Sequence, residues 1–342
     1  MKRTMILTGD INLLNVADPA VPFAKVGDTL RQADVVFSNL ECCLSGPPQS
    51  RSGQPSLGSE GFYAGAEVGV ALQMGGIQAV GNANNVNYGT ETILLSCERL
   101  DELGIPHTGA GANRKAAGAP IILDRGGLRF GFMQRTSCFW PVSHEAREAT
   151  AGVAAIKGHT AYQPRWNTNR PGVEPDIVTW TDPEYLAAYK EDVVSLRQSA
   201  DVAVSSHHWG YKEEVFQYMI ELAHAAIDSG ADIVMGHGPH FPLGIEIYKE
   251  KPVFYGIGSF SFHTGHRAVH GDWVGLMVRV SLEDSEVVKV AFSPVRHNER
   301  NETILHTVQE EREAMEHVAS LCQRFGTTLD LSGDEVVVWQ KG

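Results

Sequence analysis

The chain has 342 residues, 43% of them hydrophobic and 20% charged, with 35 Gly and 16 Pro, an ordinary globular composition with room for a large core and many turns. Forty-one acids against 28 bases give a formal charge of −13, which argues against a broad phosphate-binding surface and so against nucleic acid as a partner. No window approaches the long apolar run that crosses a bilayer, so no membrane partner is expected, and five cysteines without zinc-type spacing, two of them adjacent at Cys42 and Cys43, point to a reducing, cytoplasmic setting.

In chain order, "TMILTGD" reads as a first strand of the mature fold, because Asp10 interrupts the apolar segment before it reaches signal-peptide length. "VGDTLRQA" is helical, "DVVFSNLE" a strand, "EVGVALQMGG" helical, "IQAVGN" a strand and "TETILLSCERLDELG" a longer helix. The strands "PIILDR", "RFGFMQRT", "DVAVSSHHWG", "ADIVMGHG", "PVFYGIGSF" and "VGLMVRVSL" follow, with "EYLAAYKEDVVSLRQS" and "EEVFQYMIELAHAAIDSG" as helices between some of them. This alternation predicts a layered α/β architecture in a single domain over 1–342. Residues 139–183 interrupt the rhythm with Pro, Gly, Trp, His and Arg and are expected to form an ordered, lid-like insertion. From about residue 302 an acid-rich amphipathic helix is expected, with "EVVVW" after it as a terminal strand or tail.

Several strands end in residues able to hold a metal. The first ends at Asp10 with Asn12 two residues on, "VVFSN" ends near Asn39 and Glu41, and "GNANN" supplies Asn82, Asn84 and Asn85. "SSHHWG" supplies His207 and His208, and the Gly-Pro loop "GHGPHFP" supplies His237 and His240. In α/β folds ligands collect beyond the carboxyl ends of strands, so these dispersed groups are expected to converge. Taken singly, Asp10, Asn39 with Glu41, and the three asparagines read more readily as caps and turns. Two imidazoles in a Gly-Pro loop have little packing purpose and favour a ligand role. Carboxylate, amide and imidazole donors without cysteine suit Mn²⁺, Fe²⁺ or Zn²⁺. Two such ions about 3.5–4 Å apart would activate water for hydrolysis.

"TGDINLL", "FSNLE", "GNANNVNYG", "SHHWG" and "GHGPHFPLGIEIYKEKPVFYGIGSF" stand in the order and at the approximate spacing of the bacterial capsule-synthesis CapA family, the poly-γ-glutamate capsule group. Over residues 4 to 300 the chain resembles that family, which belongs to the calcineurin-like metallophosphoesterase superfamily. The resemblance implies a four-layer sandwich, two mixed β-sheets flanked by helices, with two divalent ions at the strand ends. By the same resemblance Asp10 looks like a first-site ligand, Glu41 the bridging carboxylate, His208 and His237 second-site ligands, and His240 a ligand returning to the first site. The third motif departs: Asn84 stands where the family has a histidine and Asn87 where it has an aspartate. Asn84 is taken as the amide ligand, with Asn82 and Asn85 as alternatives if the gap is moved.

These readings converge on a soluble metal-dependent hydrolase of a polar, anionic small molecule, with Asp10, Glu41 and His208 at the reacting centre. The altered third motif tilts the bond type toward an amide or ester, γ-glutamyl or cyclic amide, and away from a phosphoester. The alternatives are a non-catalytic accessory protein of polymer synthesis and a phosphodiesterase or phosphatase. Asn12, Arg135, His159, Tyr162, Arg165 and His207 are the expected substrate-binding residues: Arg135 and Arg165 as anion donors, Tyr162 as an apolar wall, and His159 or His207 in place of the missing histidine. The histidines His263, His266 and His270 are given no role, and the oligomeric state is left open.

Overall fold

The computed structural model describes residues 1–48, 61–163, 175–210, 213–262 and 273–341. In β1 (Lys2–Asn12) Met5 and Leu7 face one side and Ile6 the other, and both sides are buried, which is why the strand reads as an unbroken apolar run. β2 (Val35–Leu40) is likewise buried at all six positions. β1, β2, β3 (Ala79–Gly81) and β4 (His107–Thr108) lie parallel in that order. Beyond β1 the sheet continues antiparallel through β16 (Gly275–Glu283), β17 (Glu286–His297) and β18 (Thr303–Leu305). β15 (Ser259–Phe262) adds to the carboxyl end of β1, and β19 (Val336–Gln340) to β17.

The second sheet has the order β13 (Ile245–Tyr248), β14 (Lys251–Phe254), β12 (Ile233–His237), β11 (Val202–His208), β7 (Leu128–Thr136) and β6 (Ile121–Arg125). Its four inner strands are parallel, with an antiparallel strand at each edge. The two sheets pack face to face. Met5, Leu7, Val35 and Phe37 meet Phe130, Phe132, Val204 and Met235 in one buried cluster, and Phe37 stacks on Phe132 with centroids 4.5 Å apart.

Helices cover the outer faces. α1 (Gly27–Arg31), α2 (Val70–Gly75) and α3 (Thr90–Glu102) place Leu30, Leu72 and Leu100 against Ile6 and Val36 of the first sheet. α5 (Pro183–Ser199) and α6 (Gln217–Asp228) place Val193, Leu196 and Leu222 against Ala203 and Val234 of the second. The result is the α/β/β/α sandwich that the resemblance implied. α7 (Arg312–Cys322) is shorter than the helix expected from residue 302, because Thr303–Leu305 is spent as β18. α7 packs Met315, Val318 and Cys322 into the core between the sheets.

The 139–183 segment is partly built into the body. β8 (Gly152–Val153) pairs with β5 (Ala110–Gly111) next to α4 (Arg114–Gly118), and Val153 and Ile156 are buried. β9 (Gly158–Gln163) and β10 (Asp176–Thr181) form a two-stranded ladder. The Asp182 side chain then accepts the backbone N–H groups of Glu184 and Tyr185 and caps α5. Among the described residues no helix is long and apolar enough to cross a membrane.

Candidate metal centre

Asp10 lies near the carboxyl end of β1, where the pairing with β2 slips between Thr8 and Asp10 and the pairing with β15 slips between Asp10 and Ile11. Such irregularities re-aim a side chain. The close approach depends on Gly9, since a Cβ there would stand 1.8 Å from the Gly258 carbonyl oxygen, and the same carbonyl accepts the Asp10 N–H at 3.1 Å. Glu41 follows β2 directly and donates its N–H to the Ile11 carbonyl.

His208 and His237 end the parallel neighbours β11 and β12 and stand opposite each other in register, so both rings leave the same face of the sheet. Their Nδ1 atoms are 3.2 Å apart. His240 sits in the loop beyond, held at φ +71°. This left-handed backbone, sparsely used by residues other than Gly, is the kind of strain that gathers at functional sites. It turns the ring back so that Nδ1 is 3.2 Å from Asp10 Oδ2 and Nε2 3.7 Å from Glu41 Oε1.

Asp10 is the hub. Its Oδ1 accepts Asn39 Nδ2 at 2.7 Å and faces His237 Nδ1 at 3.3 Å, while Oδ2 accepts the Gly238 N–H at 3.2 Å. Two groups of donor atoms result, each within 4.8 Å: Asp10, His208 and His237, and Asp10, Glu41 and His240. The carboxylate common to both is Asp10, whereas the resemblance had given the bridging place to Glu41. The strand-end register explains the difference, because β1 lies central in its sheet and points Asp10 between the two histidine loops.

The electrostatics fit a cation. Burial alone would raise the Asp10 pKa, but hydrogen bonds and charge from His237 and His240 outweigh it and hold the carboxyl well below its ordinary range. Burial, then the neighbouring Asp10 charge, pushes Glu41 well above its ordinary value. Its Oε2 is buried with no hydrogen-bond partner among the described residues. Burial, then His237, lowers His208 to about 3. Two imidazole nitrogens turned toward each other, beside an ionised carboxylate and a second one with an unsatisfied oxygen, form an arrangement that a divalent cation satisfies.

The supporting groups orient the rings. His237 Nε2 lies 2.9 Å from Ser206 Oγ and 3.4 Å from Gln134 Nε2, leaving Nδ1 toward Asp10. His208 Nε2 donates to Asn85 Oδ1 at 2.7 Å, leaving Nδ1 toward His237. Gln134 Nε2 also donates to Asn39 Oδ1 at 2.8 Å. It reaches there over Gly81, where a Cβ would stand 1.2 Å from Gln134 Oε1. Sequence reasoning missed Gln134 and Ser206, and their one signal was a polar side chain inside an otherwise apolar strand. His144 was also missed. It is 1% exposed, accepts the Trp140 N–H at Nδ1 and meets the Asn87 carbonyl at 2.9 Å through Nε2. Trp140 Nε1 donates to the Asn85 carbonyl, so the start of the 139–183 segment braces the third-motif loop.

Other expected site residues lie elsewhere. Asn84 is engaged with backbone groups: its Nδ2 donates to the Leu40 carbonyl at 2.7 Å and its Oδ1 accepts the Val86 and Asn87 N–H groups. Asn85 is the amide that faces the cluster. Arg135 and His207 are paired in register on β7 and β11 and share the face opposite to His208. Arg135 is bound to Asp192 at 2.6 Å, and His207 to the Tyr189 hydroxyl at 2.8 Å, stacked on Trp209. One residue of offset along a strand reverses the face, which adjacency in sequence concealed. His159 pairs with Asp182 at 2.9 Å and stacks on Trp180, and Tyr162 is 74% exposed on the same ladder; neither contacts the cluster. Asn12 accepts the Leu14 N–H, and its Nδ2 is buried without a partner among the described residues. It lines a cavity of about 180 Å³ with Asp18 and Arg300. Arg165, Trp166, Arg170, His263, His266, Arg267 and His270 lie outside the described residues.

Residues 4–264 match the family described as "Bacterial capsule synthesis protein PGA_cap". The chain is 30% identical over 306 residues to "Uncharacterized protein y4sH" of Sinorhizobium fredii, covering 76% of this chain and 66% of that protein. It is 25% identical over 278 residues to "Capsule biosynthesis protein CapA" of Bacillus anthracis, covering 77% and 61%. A "Probable polyglutamine synthesis accessory protein" of Mycobacterium tuberculosis is 29% identical over 187 residues, covering 53% and 43%. The chain thus spans between 43% and 66% of the length of these curated relatives. With the matched span including every strand end that carries the cluster, the chain belongs to the bacterial capsule synthesis protein PGA_cap family.

Proposed function

We propose that the chain is a metal-dependent hydrolase of a polar, anionic small molecule, acting on an amide or ester bond, γ-glutamyl or cyclic amide, in preference to a phosphoester. The observation that carries this is the pair of buried donor groups sharing Asp10. Divalent cations held by Asp10, Glu41, His208, His237 and His240, of Mn, Zn or Fe type, would supply charge to polarise the scissile group and lower the pKa of water. The chain's own groups do the rest. Asp10 stays ionised between the two histidine loops, Ser206 and Asn85 orient the two facing imidazoles, and Glu41 Oε2 is the open acceptor of the second group.

The preference for carbonyl over phosphoryl chemistry rests on what surrounds the cluster. Phosphoryl transfer spreads charge over three oxygens and calls for cationic donors. Among the described residues every ion pair of Asp10 and Glu41 is to histidine, and position 84 offers an inward-turned amide in place of an imidazole. All five cysteines are free, which supports a reducing compartment such as the cytoplasm.

A second reading, an accessory protein of polyglutamate or capsule polymer synthesis without turnover, is favoured by the names of two relatives and by that same inward-turned Asn84. Elemental analysis of protein purified without chelator, followed by a screen of amides, lactones and phosphoesters with added Mn²⁺ or Zn²⁺, separates the two. Bound metal with turnover that disappears in His237→Ala supports the hydrolase. Protein that takes up no metal and turns over no substrate supports the accessory reading.

A further inference from the structure

A large cavity lies away from the metal centre. It has a volume of about 630 Å³ and lies on the opposite, helix-covered face of the second sheet, between α4, the 145–156 strand segment and α5. That volume is in the range of small-molecule sites, roughly 300–1,000 Å³. It is hollow because six lining residues are Gly or Ala: Gly118, Ala119, Ala146, Ala154, Ala155 and Ala188. Pro120, Val153 and Ile156 add apolar wall.

Charge of both signs is set around this apolar interior. Arg135, 5% exposed, closes the back by bonding the Gly118 carbonyl at 3.2 Å and Asp192 at 2.6 Å, and so links α4 to α5. Glu145 is held by the Tyr185 hydroxyl at 2.6 Å. Arg114 and Lys115 on α4 line the cavity with no side-chain hydrogen bond or ion pair among the described residues, and Glu184 on α5 is the free carboxylate on the other side. The uncommitted lining charges are thus two cations and one anion, carried on different helices. A simple dianion would meet Glu184, and a simple diamine would meet Arg114 and Lys115. A molecule carrying both signs, separated by a short apolar stretch, satisfies both helices.

From this geometry we propose that the cavity is a second ligand site, for a zwitterion of di- to tripeptide size, its carboxylate toward Arg114 and Lys115 and its ammonium toward Glu184. Tyr189 forms part of the wall and donates or accepts at His207, the residue preceding His208, so this site and the metal centre occupy opposite faces of the same strand. The proposal stands independently of the hydrolase reading.

Calorimetric titration of the full chain with trialanine, N-acetyl-trialanine and trialanine amide tests it. Saturable binding of trialanine is expected, with each capped form at least tenfold weaker. Ala188→Trp, at an exposed position that fills the cavity without touching the core, is expected to abolish binding, and Lys115→Glu to weaken it at least tenfold. Equal binding of the capped peptides would overturn the zwitterion assignment. No saturable binding of any of the three, or binding that survives Ala188→Trp but is lost in His240→Ala, would overturn the site itself.

Discussion

Asp10 has no exposed surface and shares its two oxygens among Asn39, His237, Gly238 and His240. A carboxylate so enclosed is costly unless charge is returned to it, and this places weight on the groups that orient its imidazole neighbours. Ser206→Ala removes the hydroxyl beside His237 Nε2 but leaves every donor atom in place. Divalent-metal affinity is expected to fall by about 10–100-fold, read by titration with Mn²⁺ or Zn²⁺, while thermal stability of the metal-free protein changes little. An unchanged affinity would show that strand register alone orients His237. His144 belongs to the same scale. Burial lowers it from 6.5 to about 4, the hydrogen bond to Asn87 opposing only in part. Its folded pKa is depressed, so the unfolded chain binds the proton first, and stability is lost as pH falls from 6.5 toward 4. The His144→Gln variant is expected to lose less stability across that window than the wild type, as measured by melting temperature at pH 7, 5.5 and 4.5. His207 and His208, both also lowered, continue to contribute in the variant.

Among the elements, β1 and β11 do most to place the site. β1 brings Asp10 against the Gly258 turn through the missing side chain of Gly9, and the obstacle a Cβ would meet is backbone, which cannot rotate aside. Gly9→Ala is therefore expected to destabilise the fold by at least the ~1–3 kcal/mol typical of overpacking and to weaken metal binding, because Asp10 moves with the strand. Chemical denaturation and metal titration of one preparation check both. β11 shows how much one residue of offset decides: His208 faces Asp10's neighbours, while His207 faces Tyr189 and the helix layer. Gln134 and Arg135 on β7 divide in the same way, the first into the metal centre and the second into the peptide-sized cavity.

For the molecule as a whole, the family match ends at residue 264 but the fold does not. β16 pairs along most of β1, and β17, β19 and α7 complete the core that the two sheets share. Glu311, 6% exposed and just before α7, ties that terminal segment to β17 through Arg296 and to the residue after β18 through His306. Burial opposes ionisation there, but Arg296 and His306 together lower its pKa. A depressed carboxylate stabilises above its unfolded pKa and loses that contribution as pH falls through the folded value. Glu311→Gln is expected to cost about 1–3 kcal/mol at pH 7, the range for leaving a charged partner unsatisfied, with the deficit shrinking below pH 4.5. Denaturant melts at pH 7 and pH 4 measure the difference, and a deficit independent of pH would mean that the charge plays no part.

The sequence by itself determined the layered α/β class and the strand order along the chain, since apolar runs between turn residues declare buried strands without reference to their partners. It also marked Asp10, Glu41, His208, His237 and His240 as strand-end candidates, although only the histidine pair of the Gly-Pro loop stood out locally and the family resemblance singled out the rest. Only the tertiary structure decided which carboxylate is common to both donor groups, that Asn85 rather than Asn84 faces His208, and that Arg135 and His207 turn away. Those outcomes depend on register between strands far apart in the chain and on which face a side chain leaves. Neither is carried by local composition: a slip of one residue leaves the pattern almost unchanged and moves every side chain to the other side of the sheet.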